Sequence, residues 1–132
     1  MKVRNIFIII TTLVIIVLGC KPDSYYKNTV VLNLTGWSYP DTVKVSTDFD
    51  LHLSTISHSS CTKKHNFVLE HIDTDVYKIY ATGVYISYNN NCHEKIVETD
   101  TTITGSISEV GRYYFLFLNE NVWKVDSIQV IP

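Results

Sequence analysis

No stretch of the 132-residue sequence carries the spacing of an amphipathic helix, in which apolar residues recur every three to four positions. That absence removes helical bundles and alternating α/β folds from consideration. There is no internal repeat and no break in composition between two domains, and the length suits one. Lys and Arg number 11 against 13 Asp and Glu, without clustering. A chain with no basic patch or basic helix is not built to hold nucleic acid. No catalytic signature stands out either. No serine lies in a nucleophile elbow, and Ser59 beside His58 is a neighbour in sequence, which seldom gives triad geometry. The pairs Asp48/Asp50 and Asp73/Asp75 read as turn and edge residues, so no enzymatic activity is expected. Finally, no apolar run is long enough to cross a bilayer as a permanent helix, which takes about 20 residues. The run Ile6–Leu18 has 13 residues and is interrupted by Thr11 and Thr12.

What is there begins with that run. It follows Lys2 and Arg4 and ends at the small Gly19; a basic head, an apolar core of about 7–15 residues and a small residue make an export signal. The stretch Val17-Leu18-Gly19-Cys20 resembles the lipobox of bacterial lipoproteins, with Leu18 where that family often has a smaller residue. The resemblance covers residues 1–20. It implies cleavage before Cys20, acylation of that cysteine, and a mature chain held to a membrane by lipid, each buried CH2 contributing about 0.8 kcal/mol. Lys21 is not the aspartate linked in that family to inner-membrane retention. The expected location is therefore the cell envelope, on an outer membrane where the cell has one. The expected organisation is a signal peptide over 1–19, a lipidated tether over 20–27 marked by Pro22 and polar neighbours, and one β domain over 28–132.

Strand signals fill the remainder. Val30, Leu32 and Leu34 alternate with Val31 and Asn33; Val43 and Val45 flank Lys44; Phe49, Leu51 and Leu53 alternate with Asp50 and His52. Runs 76–80, 84–88, 112–118 and 122–131 are rich in β-branched and aromatic residues. Turn residues separate them at Gly36–Asp41, Asp73–Asp75, Asn89–Asn91, Glu109–Gly111 and Asn119–Asn121. Such spacing predicts an all-β fold of about eight short strands, in a sandwich or a barrel. The segments Thr101–Thr104, Val110–Leu118 and Val122–Ile131 resemble an immunoglobulin-like β-sandwich, through a turn ending in Gly111, the Gly-x-Tyr strand start and a final hairpin. That resemblance implies an antiparallel sandwich of about 7–8 strands. Residues 61–118 resemble more narrowly a group of small bacterial lipoproteins of unknown function, which implies a sandwich and a disulfide but no activity. Trp37 and Trp123 both lie outside the cysteine pair, unlike the arrangement of antibody domains.

Export would deliver Cys61 and Cys92 to an oxidising compartment, where an even pair usually closes. The enclosed loop of about 32 residues would then contribute roughly 3–4 kcal/mol in the chain-entropy account. The alternative is metal. His58 and His93 flank the two cysteines and could complete a Cys2His2 zinc site, or His58, His93 and Glu94 could act without them. No cofactor is otherwise indicated. The nine tyrosines are good strand formers. Those of opposite parity, Tyr77 against Tyr80 and Tyr113 against Tyr114, require some to face outward, where they could meet a glycan or a protein partner. Asp41-Thr42-Val43, Asp126-Ser127-Ile128 and Asp100-Thr101-Thr102 resemble the short acceptor motif of some bacterial O-glycosylation systems. The leading expectation is a non-catalytic binding or structural module of the envelope; the competing one is a metal-binding protein or enzyme using the region of His58, His93 and Glu94.

Overall fold

A computed structural model describes residues 24–132; the basic head, the apolar run and Cys20 lie outside the described residues. Nine strands run in sequence with no helix among the described residues: β1 Tyr25–Leu32, β2 Leu34–Ser38, β3 Thr42–Lys44, β4 Phe49–Ser59, β5 Thr62–Asp73, β6 Val76–Tyr88, β7 Glu94–Gly105, β8 Gly111–Asn119 and β9 Val122–Ile131. They form a six-stranded sheet ordered β1-β6-β8-β9-β3, with β5 on the other edge of β6, and a three-stranded sheet ordered β2-β4-β7. The sequence explains the layering. On β4, Leu51, Leu53, Thr55 and Ser57 are buried, while the alternate positions Asp50, His52 and His58 are exposed and Ser54 and Ile56 half-buried. On β8, Tyr113, Phe115 and Phe117 point inward by the same period of two.

The core lies between the sheets. Leu34, Leu51 and Leu53 from the smaller sheet meet Ile79, Ala81, Phe115, Phe117, Ile128 and Val130 from the larger one. Trp37 stacks on Phe117 with ring centroids 4.5 Å apart, and Tyr39 packs edge-on against Phe115 at 5.2 Å. Burying a side chain such as Phe117 contributes about 1.5–3 kcal/mol.

The organising element is β6, 13 residues long. One of its edges carries β5. The other is shared end to end: β1 pairs antiparallel with Ala81–Tyr88, and β8 pairs parallel with Val76–Ile79. Where β1 and β8 meet, three asparagines close the junction. The Asn121 backbone donates to the Asn33 side chain at 2.9 Å, and Asn119 donates to the Leu34 carbonyl at 2.7 Å. The Thr55 hydroxyl donates to the Asn33 carbonyl at 2.7 Å.

The all-β sandwich is as the sequence predicts, with nine strands in place of seven or eight. The β3–β9 and β6–β8 pairings are parallel, where an antiparallel arrangement was expected. Runs 76–80 and 84–88 are one strand, because Gly83 stays extended and paired with Val30. Tyr25–Lys27, expected in the tether, pair with Ile86–Tyr88, so the domain begins before residue 28. Gly36–Ser38 belong to β2, leaving the turn to Tyr39–Asp41. The asparagine turns form as expected: Asn89 and Asn90 both have φ 53°, and Glu120 and Asn121 have φ 50° and 61°, the left-handed pair that suits a two-residue β-turn.

Candidate functional site

The cysteines sit where the chain changes sheets. After β4 it crosses to the larger sheet through Ser60–Cys61, and after β6 it crosses back through Asn89–His93. Both crossings lie at the same end of the sandwich, and the Cys61–Cys92 disulfide ties them together with a Cα–Cα distance of 5.5 Å. Backbone bonds complete the corner: Ser60 N donates to the His93 carbonyl at 3.0 Å, and Ile86 N to the Cys61 carbonyl at 2.8 Å. His93 N donates to Ser60 Oγ at 3.1 Å, and the Tyr85 hydroxyl lies 3.1 Å from Cys92 Sγ. Cys61 is only 6% exposed.

This geometry bears on the metal alternative. With both sulfurs joined, a Cys2His2 set has no thiolates to offer. His58, His93 and Glu94 are all exposed, with His58 at a bulge and Glu94 paired with Ser59. Among the described residues no three His, Cys, Asp or Glu side chains gather as metal ligands. The remaining histidines are engaged singly. The His52 ring lies 2.8 Å from Thr102 Oγ1, that of His65 lies 2.7 Å from Thr99 Oγ1, and His71 stacks on Tyr77 at 4.6 Å. Asp50 accepts from Thr104 at 2.6 Å and Asp73 from Thr74 N at 2.8 Å, so these carboxylates serve an edge and a turn. Two tyrosines resist ionisation. Burial, then the Asp126 carboxylate, pushes Tyr39 upward, although its hydroxyl makes no hydrogen bond of acceptable geometry. Burial, then the Glu109 carboxylate, raises Tyr113.

The disulfide end is also the end where the described chain begins. Ser24 is fastened to the Asn89 turn by two bonds of 2.8 Å, Ser24 N to Asn89 Oδ1 and Asn89 N to the Ser24 carbonyl. Directly after it, Tyr25 stands opposite Tyr88 with ring centroids 5.0 Å apart. Tyr25, Tyr26 and Tyr88 are 55%, 54% and 64% exposed. Tyr26 meets Tyr85 edge-on at 6.0 Å, and Tyr85 rests on the disulfide. In the sequence Tyr25 and Tyr26 read as part of the tether, with no signal for Tyr88 joining them, since that depends on the β1–β6 register.

The two outer faces differ in character. Over the smaller sheet lie the His52–Thr102 and Asp50–Thr104 pairs. Over the larger sheet Tyr80 meets Trp123 edge-on at 6.2 Å, and Lys78 Nζ lies 5.3 Å from the Trp123 ring centre. Val31, Tyr114 and Val125 are exposed on the same face. At the end opposite the disulfide, Phe49, Leu51, Tyr77, Ile103, Ile107 and Phe115 line an apolar cavity of about 110 Å³. Among the described residues no helix is long and apolar enough to cross a membrane. The chain matches no protein-family model, no curated protein and no solved structure.

Proposed function

We propose that this chain is an exported lipoprotein whose folded part is a non-catalytic binding or structural module of the cell envelope. The observation that carries the reading is the Cys61–Cys92 bridge, whose Cys61 is buried. Structural disulfides persist in oxidising compartments and are rare in a reducing cytosol. A bridge at the junction of both sheet crossings belongs to a protein that folds after export. The lipobox at Val17–Cys20 supplies the matching address, and acylation of Cys20 would hold the domain on a membrane. The non-catalytic part rests on how the reactive side chains are used. His52, His65 and His71 each serve a structural contact, and both Cys61 sulfur and Cys92 sulfur are consumed by the bridge.

The test is the intact mass of the native protein taken from the membrane fraction, with and without reduction and thiol alkylation. The expected result is a chain starting at Cys20, heavier by acyl groups, with two alkylatable thiols appearing only after reduction. A full-length chain without added lipid overturns the lipoprotein reading. Free thiols at Cys61 and Cys92 in the native protein overturn the export argument.

A further inference from the structure

Resting on that reading, we propose that Tyr25, Tyr26 and Tyr88 form an aromatic collar that lies in the lipid headgroup layer of the membrane holding the chain. The argument is one of reach. From Cys20 to Ser24 is four residue steps, and an extended chain gains at most about 3.3–3.6 Å per residue, so the tether spans no more than roughly 14 Å. Part of this length is used inside the membrane surface, because each headgroup layer is roughly 5–7 Å deep. No slack is added at the other end. The two hydrogen bonds between Ser24 and Asn89 fix the point where the tether leaves the domain, and the disulfide fixes the crossing that carries Asn89.

A lipid on Cys20 therefore brings one end of the sandwich to the membrane surface, and that end carries the three tyrosines. Each leaves more than half of its surface free. Tyrosine suits the place: its ring is apolar, its hydroxyl is polar, and it is enriched at membrane–water interfaces. Tyr25 and Tyr88 sit on one face of the β1–β6 pair and Tyr26 on the other, so the rings straddle the sheet end. Lys27 shares the face of Tyr25 and is exposed; its long side chain can lie along the rings with the ammonium among lipid phosphates. The opposite end of the sandwich, with the Phe49–Ile107 cavity, then points away from the membrane.

The full chain, purified from membranes, is placed in vesicles of phosphatidylethanolamine and phosphatidylglycerol. These include a lipid with a diazirine close to its headgroup, and after illumination adducts are mapped by mass spectrometry. Adducts are expected on the peptides holding Tyr25–Tyr26 and Tyr88, with the Trp123 and Phe49 peptides unlabelled. The triple variant Tyr25→Ser/Tyr26→Ser/Tyr88→Ser is expected to lose them. The Tyr25→Phe/Tyr88→Phe variant, which preserves the rings in case the serine variant misfolds, is expected to keep them. A chain that floats with the vesicles but carries its label elsewhere, or none, overturns the collar and leaves the anchor standing. A chain that does not float with the vesicles overturns both.

Discussion

Adding one methyl group at Gly83 tests the packing of β6 against both neighbours. A Cβ there would lie 2.6 Å from Thr62 Cγ2, 3.2 Å from Leu32 Cδ1 and 3.4 Å from His65 Cδ2. Two effects of Gly83→Ala oppose each other. Glycine inside a strand is worse than alanine by roughly 0.5–1 kcal/mol, because it has more backbone freedom to lose. Forcing an extra methyl into a filled interior costs roughly 1–3 kcal/mol. The sign depends on whether Thr62 can give way. Thr62 is 7% exposed and follows Cys61, whose sulfur is bridged and whose carbonyl accepts from Ile86. Leu32 blocks escape on the opposite side, so the steric term should win by about 1–2 kcal/mol. In urea unfolding, with a slope of about 1–3 kcal/mol per molar, the midpoint should fall by roughly 0.5–1 M at unchanged slope. Adding Thr62→Ser removes the obstructing Cγ2, and most of the loss should return, a coupling that only neighbouring residues show. A Gly83→Ala midpoint equal to or above that of the parent would refute the reasoning, since propensity would then have outweighed packing.

Replacing both bridge cysteines by serine releases a loop of sequence separation 31 and should cost about 3–4 kcal/mol; an unchanged thermal midpoint for the double variant would show that the bridge adds nothing. Phe117→Ala removes a fully buried ring stacked on Trp37 and should cost about 3–5 kcal/mol, again read from urea unfolding, with a loss below about 1 kcal/mol counting against the assigned core. Tyr39 and Tyr113 ionise less readily folded than unfolded. Their contribution to stability should thus be whole below the ordinary tyrosine value near 10 and decline as pH rises above it. Urea midpoints that climbed between about pH 9 and pH 11 would contradict the assigned burial.

The strands most legible in the sequence are those with one face in the core. The alternation in Phe49–Leu53 and the aromatic run of β8 follow from burial of every second residue. The asparagine turns were readable because asparagine tolerates positive φ. β5 and most of β7 were not. They form outer strands with few buried positions, so polar residues such as Lys63, Lys64, Glu98 and Asp100 leave no alternation to detect. Runs 76–80 and 84–88 read as separate because the role of Gly83 between them, a close approach of Thr62, exists only in three dimensions. The parallel pairings were beyond reach for a related reason, since partners such as Val76 and Tyr114 are chosen by sheet order. At the candidate site, the Cys61–Cys92 pair was visible by parity of number and compartment. The threonine partners of His52 and His65 required knowledge of the strand register.

The edge of β6 that β1 and β8 divide between them also sets the order of assembly. Among the described residues only β5–β6 and β8–β9 pair strands consecutive in the chain; the other five pairings skip at least one strand. Closing such distant partners costs loop entropy before any contact repays it, which places folding on the millisecond-to-second scale typical of β-sandwiches. For a chain emerging from its N-terminus, β1 has no partner until β6 arrives about 50 residues later, and the junction at Asn33 stays open until β8 and Asn121 follow. The first described strand thus stays without a partner until the sixth appears, and a chain cut short before Ala81 would leave it with its edge unpaired.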